Sequence, residues 1–244
     1  MSKKVISFCL WGDNPKYTIG ALKNAFLAKQ VYPGWICRFY IGTSTPLEIT
    51  SVLQQLDNTE VIVMEEEGNW EGMFWRFCAA GDPDVSVMLS RDTDCRLSYR
   101  EKAAVDEWLA SDKDFHVMRD HKGHKCAVMG GMWGCRNGIL SNIKELIDEC
   151  KKGDFWQVDQ QFLESTIFPL VNKNSLEHDE FYPNMSPNPH PFPVDRLGSV
   201  HWPEVKFWEG QHDNNPIDFV GKPFEANDIN KDDGTCWNPV SVYK

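Results

Sequence analysis

Apolar residues in this chain fall into short runs and helix-spaced stripes that alternate for about two thirds of its length. Val5, Ile6, Phe8 and Leu10 predict a buried strand over residues 4–10, followed by a turn at Trp11-Gly12-Asp13-Asn14-Pro15. Ile19, Leu22, Ala25, Phe26 and Ala28 then recur with a helical period, and Tyr32-Pro33-Gly34 stops that helix. A strand over residues 35–41, a helix over about 46–56 and a strand over 61–64 complete a strand–helix–strand–helix–strand series. Such a series predicts a parallel sheet with crossover helices.

Further along, Phe74, Trp75 and Phe77 mark a short aromatic helix over residues 72–80, and residues 85–89 read as another buried strand. Ser98 and Glu101 form a capping box that opens a helix burying Ala104, Val105, Trp108 and Leu109. A strand over 115–118, a glycine-rich strand and turn over 129–134, and amphipathic helices over 139–150 and 156–168 follow. Nine of the fourteen prolines lie beyond residue 180, among aromatics and histidines. That shift predicts irregular chain wrapped on the domain rather than a second core. The expected division is therefore 1–179 for the α/β domain and 180–244 for a Pro/aromatic-rich extension packed on it.

At 244 residues the chain is long enough for one sizeable core. A formal net charge of −11 argues against nucleic acid as the main partner, since phosphate backbones are bound by basic surfaces. Ten tryptophans point instead toward a carbohydrate or nucleotide ligand, on which aromatic rings stack. The eight cysteines show neither Cys-x-x-Cys pairs nor zinc spacing, and several lie inside apolar runs. With no secretory leader before the first strand and no apolar run near the roughly 20 residues of a membrane span, a cytoplasmic protein with free thiols is expected.

The residues with most chemistry follow the strand at 85–89: Arg91-Asp92-Thr93-Asp94. A strand ending in Asp-x-Asp sets two carboxylates at the sheet edge where open α/β folds bind ligands. Hard oxygen donors there suit Mg²⁺ or Mn²⁺, although a solvated turn capping the next helix would give the same tripeptide. His121 and His124 do not make a zinc site, because no further ligand of matching spacing accompanies them.

Taken in order, several segments resemble one family. They are Leu10-Trp11-Gly12-Asp13, Tyr32-Pro33-Gly34-Trp35 with Arg38-Phe39-Tyr40, Phe74-Trp75-Arg76-Phe77 and Arg91-Asp92-Thr93-Asp94-Cys95-Arg96. Met118-Arg119-Asp120-His121, Gly130-Gly131-Met132-Trp133-Gly134 and Asp159-Gln160-Gln161-Phe162-Leu163 continue the series. Together they resemble the small, single-domain nucleotide-sugar glycosyltransferases of GT-A fold, found in bacteria and in large DNA viruses of algae. The resemblance covers residues 4–170 and, more loosely, Phe219-Val220-Gly221.

It implies a single Rossmann-like α/β domain with a mainly parallel sheet. It also implies transfer of a sugar from a nucleoside-diphosphate sugar, UDP first among the bases, to a glycan or other hydroxyl acceptor, with Mn²⁺ or Mg²⁺ as cofactor. A virus-encoded member would work in the host cytoplasm. By the same resemblance Asp94 ligates the metal, and Asp92 binds it through water or holds the ribose or donor sugar. His201 or His212 could add a ligand. Phe8, Leu10, Trp11 and Gly12 correspond to the base and ribose pocket, with Trp11 as plain core the alternative. Arg76 and Arg91 face phosphate or sugar, or else pair with acidic neighbours. Gly131 lets backbone approach the sugar, and Trp133 walls the pocket. Asp159 would be the general base of an inverting reaction, a sugar-positioning group in a retaining one, or a helix cap. A non-catalytic carbohydrate- or nucleotide-binding protein is one alternative, and a metal-dependent phosphoesterase or nucleotidyltransferase is another.

Overall fold

The computed structural model describes residues 2–150, 153–186, 189–195 and 219–224. One eight-stranded sheet runs through it in the order β3-β2-β1-β4-β6-β5-β7-β8. The strands are β1 (Lys3–Leu10), β2 (Ile36–Ile41), β3 (Thr59–Val63), β4 (Val85–Ser90), β5 (Phe115–Arg119), β6 (Trp133–Arg136), β7 (Ser175–Asp179) and β8 (Pro189–His190). Every neighbouring pair is parallel except β4·β6 and β6·β5, so β6 is the single reversed strand. The α/β alternation predicted from the apolar pattern is what the chain adopts.

Helices cover both faces, and the alternation within each strand decides which side chain goes where. Ile6, Phe8 and Leu10 of β1, with Phe39 and Ile41 of β2, pack against α1 (Pro15–Val31), α2 (Leu47–Gln55) and α3 (Tyr99–Ala110). On the other face Met88, Phe115, Val117 and Trp133 meet a 3₁₀ stretch (Trp70–Gly81), α4 (Ile143–Glu149) and α5 (Val158–Phe162). Asn14 caps α1 by accepting from the Lys16 amide at 3.0 Å, with Pro15 in the first turn, where its missing N–H costs nothing.

Four elements differ from the sequence expectation. Residues 70–81 wind as 3₁₀ rather than α, capped by the Asn69 side chain on the Glu71 amide at 2.9 Å. Helix α4 starts only at Ile143, after a turn, rather than at residue 139. Past α5 the helix widens into a π segment (Leu163–Ile167) before α6 (Phe168–Val171). Pro169 supplies the reason: it has no N–H for the previous turn, and its ring would clash with the carbonyl four residues back. Strand β7 had no counterpart in the apolar pattern, because Ser175, Glu177, His178 and Asp179 are polar yet fully buried.

Beyond residue 180, β8 extends the sheet, and Phe192 and Val220 pack with Ala104, Met118 and Met132. Residues 222–224 return to the Asp-x-Asp turn. The Phe224 amide donates to the Asp94 carbonyl at 2.7 Å, and the Arg96 amide donates to the Lys222 carbonyl at 2.9 Å. Among the described residues no helix is long and apolar enough to cross a membrane.

Candidate active site

β1 connects to β2 on one side, while β4 pairs on its other side. The crevice between the C-terminal ends of β1 and β4 is thus the topological switch point, where open α/β sheets bind ligands. A cavity of about 620 Å³ opens there. Its walls come from the turn after β1 (Trp11, Gly12, Asp13), the start of α1 (Asn14, Tyr17), the 3₁₀ stretch (Trp70, Met73, Arg76), the turn after β4 (Asp92, Thr93, Asp94) and the approach to α5 (Asp154, Trp156, Gln160). Gly12 makes the first turn in the left-handed region at φ +71°, which favours glycine.

Asp92 and Asp94 stand at this edge as the sequence predicts, and each carboxylate is engaged by a cation. The Arg76 guanidinium pairs with Asp92 and, at 2.8 Å, with Asp159. The Lys16 ammonium lies 2.6 Å from Asp94. Burial opposes charge on Lys16, but the hydrogen bond and charge of Asp94 outweigh it and raise its pKa. For Asp159 burial pushes the carboxyl up, Arg76 pulls it down and Asp92 pushes it up again, with a net rise.

The backing of the site is the turn that precedes β6. A β-carbon on Gly131 would overlap the Asp92 carboxylate, and one on Gly130 would lie 2.5 Å from Arg76 Nη2. The Ser90 hydroxyl donates to the Gly130 carbonyl at 2.7 Å, and the Met118 amide donates to the Met132 carbonyl at 3.0 Å. On the opposite side α1 holds the Asp-x-Asp turn. The Asn24 amide donates to the carbonyls of Thr93 (3.1 Å) and Cys95 (2.9 Å) and accepts from the Leu97 amide at 3.1 Å. Gly20 lets the helix come this near, since a β-carbon there would be 3.1 Å from the Thr93 carbonyl carbon.

Burial places four of the sequence-predicted residues away from the cavity wall. Arg91 does not face the cavity. Its guanidinium is buried against Glu101 at 2.8 Å and the Trp133 carbonyl at 3.0 Å, and the Tyr32 hydroxyl donates to the same Glu101 at 2.8 Å. The Glu101 side chain therefore serves Arg91, while its backbone amide donates to the Ser98 hydroxyl that caps α3. Phe8 is core, stacked on Phe39 at 4.9 Å, because β1 alternation turns it toward α1. Trp133 is fully buried between Phe115 and Phe77 and walls no pocket. Asp159 is fully buried behind Arg76 and does not line the cavity, though its Oδ1 accepts no hydrogen bond from the described residues.

Leu10, Trp11, Gly12 and Arg76 do line the cavity, and Gly131 touches it through Asp92. His201 and His212 lie outside the described residues. Lys16 escaped the sequence reading, although it left a signal. A lysine in the first turn of a helix opposes the helix dipole, and α1 has no acidic residue in that turn. Trp70 and Trp156 left none, because only the fold brings their segments to one mouth.

Asp92, Asp94 and Cys95 offer ligand atoms within 4.8 Å of one another. Burial, with Asp92 and Asp94, pushes the Cys95 thiol well up, which leaves the two carboxylates as the donors for a hard cation. Lys16 shows that this pocket already draws positive charge. The residues fit Mg²⁺ or Mn²⁺.

No protein-family model and no curated protein matches this chain. Solved structures give distant likenesses. S. aureus TarS 1-349 is 15% identical, with 70% of this chain and 56% of that one covered and a TM-score of 0.48. Mycobacterium tuberculosis glucosyl-3-phosphoglycerate synthase in complex with Mn²⁺, UDP and glucosyl-3-phosphoglycerate is 12% identical, with 72% and 69% covered and a TM-score of 0.45. The 4-diphosphocytidyl-2C-methyl-D-erythritol synthase of Anaerococcus prevotii is 13% identical, with 67% and 85% covered and a TM-score of 0.44. Likenesses this remote say nothing of activity.

Proposed function

We propose that this chain is a metal-dependent glycosyltransferase of GT-A type that moves a sugar from a UDP-sugar to a hydroxyl of a glycan or related acceptor. The observation that carries the proposal is the pair Asp92 and Asp94 at the switch-point cavity, backed by glycines that admit no side chain. Sugar transfer breaks the bond from the anomeric carbon to the diphosphate oxygen and forms one to the acceptor oxygen. A divalent ion held by Asp94 and Asp92 would supply positive charge for the departing diphosphate.

The protein's own groups do the rest. Arg76 fixes Asp92 by ion pairing, and its other nitrogen is tied to Asp159, so both carboxylates move with one planar group. Trp11, Trp70 and Trp156 give the cavity aromatic surface for a base or sugar, while Asn69, Asp154 and Gln160 supply polar partners. Of the two courses the sequence leaves open, we assign the inverting one. Asp159 would be the base of that course through its Oδ1, which accepts no hydrogen bond from the described residues, while its Oδ2 stays paired with Arg76 and positions it.

The test is a screen of nucleotide sugars with Mn²⁺, scored by the nucleotide released. Nucleoside diphosphate, abolished by chelator and by Asp94→Asn, is the expected product, and the anomeric proton of the transferred sugar reads the stereochemical course. Nucleoside monophosphate would indicate phosphoester or nucleotidyl chemistry instead. Nucleotide or glycan binding without turnover would mark a binding protein.

A further inference from the structure

The two carboxylates of the site are held by cations of very different kinds. Arg76 is only 3% exposed and is clamped between Asp92 and Asp159, a planar fork with both prongs used. Lys16 is 41% exposed, and the Asp94 carboxylate is its one ion-pair partner among the described residues. An ammonium on a flexible four-carbon stem can leave such a contact; a buried, doubly paired guanidinium cannot without stranding charge.

We propose that Lys16 is an exchange residue: its ammonium holds Asp94 until a divalent cation binds there, and then passes to the diphosphate that the cation brings. The inference rests on the proposed function for the identity of both ligands. Four observations support it. Lys16 sits in the first turn of α1, where its charge opposes the helix dipole, so Asp94 must compensate an otherwise unfavourable placement. The residues on either side of it along the rim, Asn14 and Tyr17, line the cavity, so an anion in the cavity lies along its reach. The Tyr17 ring is 5.3 Å from the ammonium and offers a cation-favouring surface on that path. A phosphate near the start of α1 would also meet the favourable end of the helix dipole, which makes it a better partner for that corner than the lysine alone.

Exchange has a signature that no purely structural lysine produces, namely opposite signs in two binding measurements. Lys16→Gln and Lys16→Arg would be compared with the unaltered protein by isothermal calorimetry and Mn²⁺ electron paramagnetic resonance, with thermal unfolding to establish that each variant is folded. Without a competing ammonium, Lys16→Gln should bind Mn²⁺ about three- to tenfold tighter, the scale of a partly exposed ion pair plus relief of like-charge repulsion. The same variant loaded with Mn²⁺ should bind inorganic pyrophosphate about tenfold more weakly, for loss of one charge-assisted contact. Lys16→Arg should restore the pyrophosphate affinity to within a few-fold. Unchanged Mn²⁺ affinity in Lys16→Gln would overturn the proposal, as would weakening of both ligands together. If the unaltered protein bound no Mn²⁺ at all, the cation site itself would fail, and the proposed function with it. Normal Mn²⁺ binding with no pyrophosphate binding would remove the second half of the exchange only, and so refute it as stated.

Discussion

A single methyl group at Gly131 should separate the chemistry of the site from the stability of the fold. Gly131 is not in the left-handed region, so alanine is conformationally acceptable there. Its β-carbon would nevertheless overlap the Asp92 carboxylate, lying 2.5 Å from Cγ and 2.9 Å from the backbone nitrogen. Ordinary contact is about 3.5–4.0 Å, so the Asp92 side chain must retreat by about 1 Å. Its side chain is 34% exposed and has somewhere to go, while the contact with the backbone nitrogen remains, so the cost in stability should be about 1 kcal/mol, the low end for overpacking. A misplacement of that size at a reacting centre typically costs about 10²-fold in rate. Gly130→Ala is the contrast. Its methyl would lie 2.5 Å from Arg76 Nη2 and 3.3 Å from Asp159 Cγ, both buried, and should cost about 1–3 kcal/mol by overpacking. Donor turnover with Mn²⁺ and urea unfolding at equal protein concentration measure the two quantities. A Gly131→Ala protein of normal turnover would refute the placement of Asp92 in the reaction. Equal destabilisation by both changes would refute the account of the turn.

Arg76→Met should destabilise by several kcal/mol, since it strands the buried Asp159, whereas Asp159→Asn should cost less because Arg76 keeps Asp92, and the double variant should cost less than the sum by about 0.5–3 kcal/mol; additive urea-unfolding energies would mean that the pair is not coupled. Acid should weaken the fold before most carboxylates titrate: burial, the largest cause for each, lowers His124 to about 4, His178 to about 3 and His116 well below its usual value. These imidazoles stay neutral in the fold while the unfolded chain takes up protons below about pH 6.5, so stability falls as pH drops through that window, by up to about 2 kcal/mol per histidine at pH 5. A urea midpoint that is flat from pH 7 to 5 would contradict this. None of the seven described cysteines is in a disulfide, and burial pushes Cys9 and Cys135 up to about 12, so maleimide should label these two only on unfolding and reductant should leave the melting temperature unchanged.

The α/β alternation and the Asp-x-Asp edge were legible in the sequence because both are local. Apolar period marks strands and helices, and β4 is continuous with Asp92 in the chain. What escaped was non-local. β7 is polar at every position but Leu176 and lies in the sheet because the Arg119 of β5 pairs with Glu177 and Asp179, both at 2.5 Å, and the His116 of β5 meets His178 at 2.8 Å. A buried salt-bridge ladder between two strands has no hydrophobic signature in either. Arg91 takes the second of its two expected roles, pairing with an acidic neighbour, for a related reason. Adjacency to Asp92 suggested a shared role, but consecutive residues at a strand end point to opposite faces, and Glu101 from α3 waits on the other one. Lys16 and Arg76 converge on neighbouring carboxylates from 60 residues apart, which no spacing rule anticipates.

The reversed strand has a practical consequence for anyone redesigning this cavity. The parallel strands leave the sheet at the ligand edge, whereas β6 enters the sheet there, and the chain before it is pinned by Ser90 on one side and Met118 on the other. The wall at Gly130-Gly131 is therefore a fixed anvil against which the carboxylates are set. Libraries meant to change which ligand fits should spare that turn and vary the cavity rim instead, at Trp11, Trp70, Met73, Trp156 and Gln160. There a new side chain alters the shape of the cavity without moving the groups that do the chemistry.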